Sequence, residues 1–197
     1  MYKHLRCQKK RRKRCGVYDR RGKIPNQTSI EERPEIVERR ERLGDLEIDT
    51  VIGKGHQGGL VTVVDRASRY TFIGRIESKQ ADEVQDTTIR LLEPVSDRLH
   101  TITSDNGKEF AGHQAIANEL EVEYYFAHPY ASWERGTNEN TNGLIRQYFP
   151  KKTNFLEVTD EEVEQVANRL NHRPRKSLGY LTPHEVFSKG ISVAVTS

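Results

Sequence analysis

From Leu46 the chain alternates: Leu46, Ile48, Thr50 and Ile52 are interleaved with Asp45, Glu47, Asp49 and Val51. A period of two predicts a strand with one apolar face. Leu60 to Val64 and Tyr70 to Ile76 are β-branched or aromatic runs joined by Asp65-Arg66-Ala67-Ser68-Arg69, so two further strands complete an antiparallel meander. Beyond Ser78, a candidate cap, Ala81, Val84, Ile89, Leu91 and Leu92 recur at near-helical spacing until Pro94. A fourth strand is expected over Thr101 to Ser104, a helix from Gly112 to Leu120 and a short strand from Val122 to Phe126. After a polar loop through His128, Pro129 and Trp133, a helix starts near Thr137 with Leu144, Ile145, Tyr148 and Phe149 on its apolar side. Thr159 with Glu162 forms a capping box for the next helix, from about Asp160 to Leu170, and Thr182, Pro183 and Glu185 open a last short one. The order β-β-β-α-β-α-β-α-α predicts an α/β fold, a mixed sheet of three antiparallel strands and later parallel additions, flanked by helices. Ile24 to Arg42 shows no period and contains Pro25 and Pro34, as expected of a connecting segment. The expected organisation is an arm and linker over 1–42, a domain over 43–190 and a tail over 191–197.

Composition adds two exclusions and one asymmetry. Of 197 residues, 34% are hydrophobic and 31% charged, and no apolar run approaches the roughly 18 residues of a spanning helix. No apolar stretch follows Met1, so a cytoplasmic location is expected, with no membrane partner. Two cysteines, Cys7 and Cys15, are too few for a disulfide framework. With His4 they lack the paired spacing or fourth ligand of a zinc site. The net charge is only +3, yet residues 1–23 carry 11 of the 32 Lys and Arg against the single acid Asp19. The remainder therefore holds 21 basic and 28 acidic residues. Lys9, Lys10, Arg11, Arg12, Lys13 and Arg14 form a run that cannot fold alone and suits a polyanion, by contacts that weaken with salt. A solvated basic tail is the alternative.

Three acids are candidates for chemistry. Asp49 lies within a strand, where it either shares a solvated face with Asp45 and Glu47 or serves a site. Asp105 follows a strand and opens Asp-Asn-Gly, a turn sequence, but at the strand end where open α/β sheets place ligands. Glu139, after 33 intervening residues, falls on the first turn of a helix with Asn142, Gly143 and Arg146 on its face. It either favours the helix dipole or points to a site. Gathered together, three carboxylates repel unless divalent cations neutralise them, and hard oxygen ligands suit two Mg²⁺ or Mn²⁺ ions. Arg146 and Lys108 are candidate phosphate contacts. Glu109 is expected at the surface or in an ion pair, and Asp65 in a hairpin turn. His128 reads as a loop histidine, with a role in positioning water the lesser alternative, and Trp133 either stacks on an unpaired base or locks its loop by packing.

These residues resemble a known family. Gly44-Asp45-Leu46-Glu47-Ile48-Asp49-Thr50, Thr103-Ser104-Asp105-Asn106-Gly107-Lys108-Glu109-Phe110 and Pro129 to Asn140 with Trp133-Glu134-Arg135-Gly136 look like the catalytic part of a DDE transposase of insertion-sequence family thirty. Asn171-His172-Arg173-Pro174, Leu178-Gly179-Tyr180 and Thr182-Pro183 resemble the end of that family's core. The resemblance implies a ribonuclease-H-like, retroviral-integrase-type core over 43–190, with Asp49, Asp105 and Glu139 as catalytic, metal-binding acids. It further implies DNA cleavage and strand transfer with Mg²⁺ or Mn²⁺, two ions per site. The partners it implies are double-stranded DNA (element ends and target) and further copies of the chain on paired ends, at the nucleoid. Leu46 and Ile48 stand where the family usually has Trp and Gly, which bears on packing. Family members also carry an N-terminal helix-turn-helix that reads element ends, and the basic segment here implies a truncated form. A DNA-binding remnant and a ribonuclease-H-like nuclease are the alternatives.

Overall fold

The computed structural model describes residues 24–129 and 131–190. The run Lys9, Lys10, Arg11, Arg12, Lys13 and Arg14, together with His4, Cys7 and Cys15, lies outside the described residues, as does the tail 191–197. Five strands, β1 (Asp45–Ile52), β2 (Gly59–Asp65), β3 (Thr71–Ile76), β4 (Thr101–Ser104) and β5 (Glu123–Phe126), form one sheet in the order β3-β2-β1-β4-β5. The first three pair antiparallel, and β4 and β5 add in parallel, as the sequence pattern predicts. The helices are α1 (Glu35–Arg39), α2 (Ala81–Leu92), α3 (His113–Glu119), α4 (Gly136–Tyr148), α5 (Asp160–Asn171) and α6 (Pro183–Lys189).

Each face of the sheet has its own core. Leu46, Ile48, Val61, Val63 and Ile102 pack with Val84 and Leu92 of α2 and Ile116 of α3. On the other face Val51, Leu60 and Ile73 pack with Ile145 of α4 and Val163, Val166 and Leu170 of α5. Burial of each such side chain contributes about 1.5–3 kcal/mol. Leu46 and Ile48 are fully buried, as the apolar face expected of β1 requires.

The second face of β1 is not solvated. Asp45 and Glu47 are fully buried beneath other elements. Asp45 accepts from Arg42 and from the Thr101 hydroxyl at 2.7 and 2.8 Å. Glu47 Oε1 accepts from Arg66 Nη1 at 2.8 Å, and its Oε2 accepts the backbone N–H of Asn138 at 2.8 Å. Arg66 is itself buried and also bonds the Val37 carbonyl and Glu38. An acid at alternate strand positions is thus a pattern of buried pairs, which period alone does not distinguish from a wet face.

Two local expectations are corrected. The segment expected to connect the arm to the domain packs onto it: Ile24 joins the first core, Val37 is fully buried, and Arg33 donates to the Thr103 hydroxyl. Ser29 bridges Phe126, and the Phe126 N–H bonds the Thr28 carbonyl. This segment covers the open edge of β5, a backbone demand that leaves no hydrophobic period in the sequence. Ser78 does not cap α2 either. Gln80 is the cap residue and makes no side-chain cap bond, while the Ser78 hydroxyl donates to Glu83. The capping boxes of α5 and α6 form as expected, Thr159 with Glu162 and Thr182 with Glu185.

Replacing Arg66 by Met leaves Glu47 as a buried charge without its counter-ion. The expected loss is about 3 kcal/mol of unfolding free energy in urea titrations, with a double Glu47→Gln/Arg66→Met variant losing less than the sum of the single changes.

Candidate active site

Parallel pairing aligns Glu47 of β1 with Thr103 of β4. Continuing that register by two residues brings Asp105, just past the end of β4, level with Asp49. Asp49 is half-buried, and its Oδ1 accepts the Thr50 N–H at 2.8 Å. Asp105 Oδ1 accepts the Gly107 N–H at 2.8 Å, the turn bond expected of Asp-Asn-Gly. Its other oxygen faces Asp49 across a cation. Arg135 Nη2 lies 3.3 Å from Asp105 Oδ2, and Arg135 Nη1 lies 3.6 Å from Asp49 Oδ2. One oxygen of Asp105 thus serves the turn, while the other pairs with Arg135.

Burial pushes the Asp49 carboxyl above its ordinary value, with Asp105 and Glu109 adding to the rise and Arg135 and the Thr50 N–H opposing it. The residues fit a hard cation: two carboxylates at the sheet's carboxyl edge already share one positive charge, and carboxylate oxygens are the donors Mg²⁺ and Mn²⁺ prefer.

Glu139 stands apart from this pair. It is exposed on the first turn of α4, and among the described residues no group of three His, Cys, Asp or Glu side chains is close enough to hold a metal. Three carboxylates at one point repel, and a single guanidinium bridges only two of them. Its neighbours, however, are fixed. The Asn138 N–H bonds Glu47, and Asn142 Nδ2 donates to Asp49 Oδ2 at 3.0 Å. The Thr62 hydroxyl lies 3.2 Å from Asn138 Oδ1 and 3.0 Å from Asn142 Oδ1. Thr62 is the cross-strand partner of Asp49, so one side-chain network joins the strand carrying Asp49 to the helix carrying Glu139.

Other candidates separate clearly. Arg146 Nη2 donates to the Ile52 carbonyl at 2.8 Å, so this candidate phosphate contact is also a tie between α4 and the end of β1. Lys108 is exposed three residues after Asp105. Glu109 is not at the surface: it is buried and pairs with Lys79, while accepting from the Thr50 hydroxyl at 3.3 Å. Asp65 holds its hairpin through Ser68 and also accepts the Gly44 N–H at 2.7 Å. His128 bonds Glu134 at 2.9 Å and pairs with Glu31, and the Glu134 bond raises its pKa above the ordinary value. Its partners are loop acids and not the aspartate pair. Trp133 is 75% exposed, so most of its ring is not packed against its loop. Sequence reading passed over Arg135, Asn138 and Thr62, because nothing in their spacing distinguishes them. Asn142 carried a weak signal, three residues after Glu139.

The five-stranded order β3-β2-β1-β4-β5, with helices packed on both faces, is that of the ribonuclease-H-like fold. Comparison with known proteins agrees. Residues 40–132 match the family model of the integrase core domain. The chain is 52% identical over 193 residues to a Bacteroides fragilis protein, the transposase for insertion sequence element IS4351, covering 98% of this chain and 59% of the relative. To the transposase InsI for IS30A of Escherichia coli strain K12 it is 43% identical over 171 residues, 86% of this chain and 44% of the relative. The catalytic core domain of BIV integrase superposes with a TM-score of 0.57 at 17% identity, covering 75% of this chain and 95% of that one. A chain of the simian T-cell lymphotropic virus intasome gives 0.62 at 18%, covering 75% and 55%. These two likenesses concern the fold. Over almost its whole length the chain is therefore similar in sequence to transposases of insertion sequence elements. It spans about half the length of the curated relatives it matches.

Because the folded Asp49 carboxyl titrates above its unfolded value near 3.8, its favourable contribution is complete below that value and is lost as pH rises through the folded pKa. In metal-free buffer Asp49→Asn is therefore expected to melt higher than wild type at neutral pH, the gap closing on acidification. Calorimetry across pH checks this, and an equal or lower melting temperature at neutral pH contradicts it.

Proposed function

We propose that this chain is the catalytic core of a transposase that cleaves DNA at the ends of an insertion element and joins those ends to target DNA. The observation that carries the proposal is the juxtaposition of Asp49 and Asp105 around one cation at the carboxyl edge of an integrase-type sheet. In this reading Asp49 and Asp105 would hold the divalent metal, Mg²⁺ or Mn²⁺, and Glu139, brought in from α4, would be the third ligand of a two-ion set. Bound there, the metal supplies Lewis acidity, making water or a DNA 3′-hydroxyl a better nucleophile and stabilising the leaving oxygen at the phosphodiester.

The protein's own groups orient the reaction. Asn142 fixes the direction of the Asp49 carboxylate, and the Glu47 bond to the Asn138 N–H sets where α4 begins and so where Glu139 stands. Nicking and joining are the same in-line displacement with different nucleophiles, so one site serves both and no covalent enzyme intermediate is needed. Lys108 and Arg146 flank the acids as phosphate contacts. The run Lys9, Lys10, Arg11, Arg12, Lys13 and Arg14 supplies salt-dependent attraction for duplex DNA, placing the protein at the nucleoid. Pairing two element ends calls for two or more copies of the chain.

The test is cleavage and strand transfer on labelled duplexes carrying candidate element ends, with Mg²⁺ or Mn²⁺. Asp49→Asn, Asp105→Asn and Glu139→Gln are each expected to lower product formation by about a hundredfold or more while leaving DNA binding intact. Wild-type protein that binds duplex but cuts with neither metal overturns the proposal in favour of a DNA-binding remnant. Cleavage confined to RNA–DNA hybrids overturns it in favour of a nuclease.

A further inference from the structure

Arg135 does more than neutralise charge. Among the described residues it is the one basic side chain paired with either Asp49 or Asp105, and it reaches both, through different nitrogens. Its guanidinium occupies the space between the two oxygens that the proposed metal would bind. It is carried by the short turn Ser132–Arg135 that leads into α4, and not by the sheet. As the cap residue of α4 it makes no side-chain cap bond. Its third nitrogen, Nε, is buried without a hydrogen-bond partner among the described residues.

A buried donor left without a partner is unfavourable. The bridge to the two aspartates thus leaves one donor of Arg135 unused, and a phosphate, which accepts a guanidinium fork through two oxygens, satisfies more of it. A cation tethered at a metal site excludes the metal, and the metal's apparent affinity falls by the fraction of molecules in which the tether is in place.

We propose that Arg135 is a tethered competitor for the Asp49–Asp105 pair, which DNA draws away: a backbone phosphate takes the guanidinium and the vacated carboxylates take the divalent metal. Metal and DNA then bind cooperatively, and by linkage each raises the other's affinity by the same factor. Free protein is held in a metal-poor state, and the site is loaded where substrate lies. This inference rests on the reading of Asp49 and Asp105 as metal ligands.

The test measures Mn²⁺ binding by electron paramagnetic resonance, with and without a short blunt duplex and with the duplex's own Mn²⁺ uptake subtracted. Without DNA, Arg135→Gln is expected to bind Mn²⁺ on the order of tenfold more tightly than wild type. Arg135→Lys, which keeps the charge but cannot span both carboxylates, is expected to fall between them and carries the test should the glutamine variant fold poorly. The duplex is expected to tighten Mn²⁺ binding by wild type and to have little effect on Arg135→Gln. Equal or weaker Mn²⁺ binding by the Arg135 variants overturns the inference, provided Asp105→Asn loses the site. If Asp105→Asn binds Mn²⁺ as well as wild type does, the assignment of the acids fails and the inference fails with it.

Discussion

Glu47 has no exposed surface, and each of its two oxygens is committed: one to the buried Arg66, the other to the Asn138 N–H at the start of α4. Burying two charges is expensive, and such a pair contributes little net stability, but losing one partner is severe. What the arrangement supplies is position. A carboxylate at a helix N-terminus meets unsatisfied N–H groups and the positive end of the helix dipole. Here the carboxylate comes from a strand of the sheet. The beginning of α4, otherwise without a side-chain cap, is thereby fixed to β1 two residues before Asp49.

From that anchor the site's geometry follows. Thr62 stands beside Asp49 in the β1–β2 ladder and reaches Asn138 and Asn142 on the helix. Asn142 closes the loop by bonding the Asp49 carboxylate. Arg146, a turn further on, ties the helix to the Ile52 carbonyl. The helix that bears Glu139 is therefore registered against the strand that bears Asp49 at three points along its length. Asp105 is placed independently, by the parallel register of β4 and the turn bond to Gly107. The two aspartates meet through the sheet, while Glu139 depends on the helix.

The elements themselves were legible because local rules decide them. Alternation marked β1, β-branched runs marked β2 and β3, and Thr159 with Glu162 marked the start of α5 through a bond that involves neighbours in sequence only. Where the local rule had competitors, it misled. Ser78 had an acid within reach and bonded Glu83 instead of capping α2. Residues 24–42 packed against β5 because an open sheet edge needs cover, a requirement set by a strand roughly a hundred residues later. Glu109, four residues after Asp105, takes the ion-pair alternative with Lys79, but from a buried position beside Thr50.

Local patterning set the class of fold and the order of strands and helices, and it singled out Asp49, Asp105 and Glu139 as candidates through motifs whose residues lie close together in the chain. Tertiary structure alone decided which acids meet. Asp49 and Asp105 converge because parallel pairing aligns their strands, and Glu139 stands exposed where the hydrogen bonds that register α4 against β1 place it. It also decided the roles of Arg135, Asn142 and Glu47. Each acts through a partner distant in sequence, and contacts of that kind are set by packing and hydrogen-bond satisfaction across the sheet, which no local pattern of residues encodes.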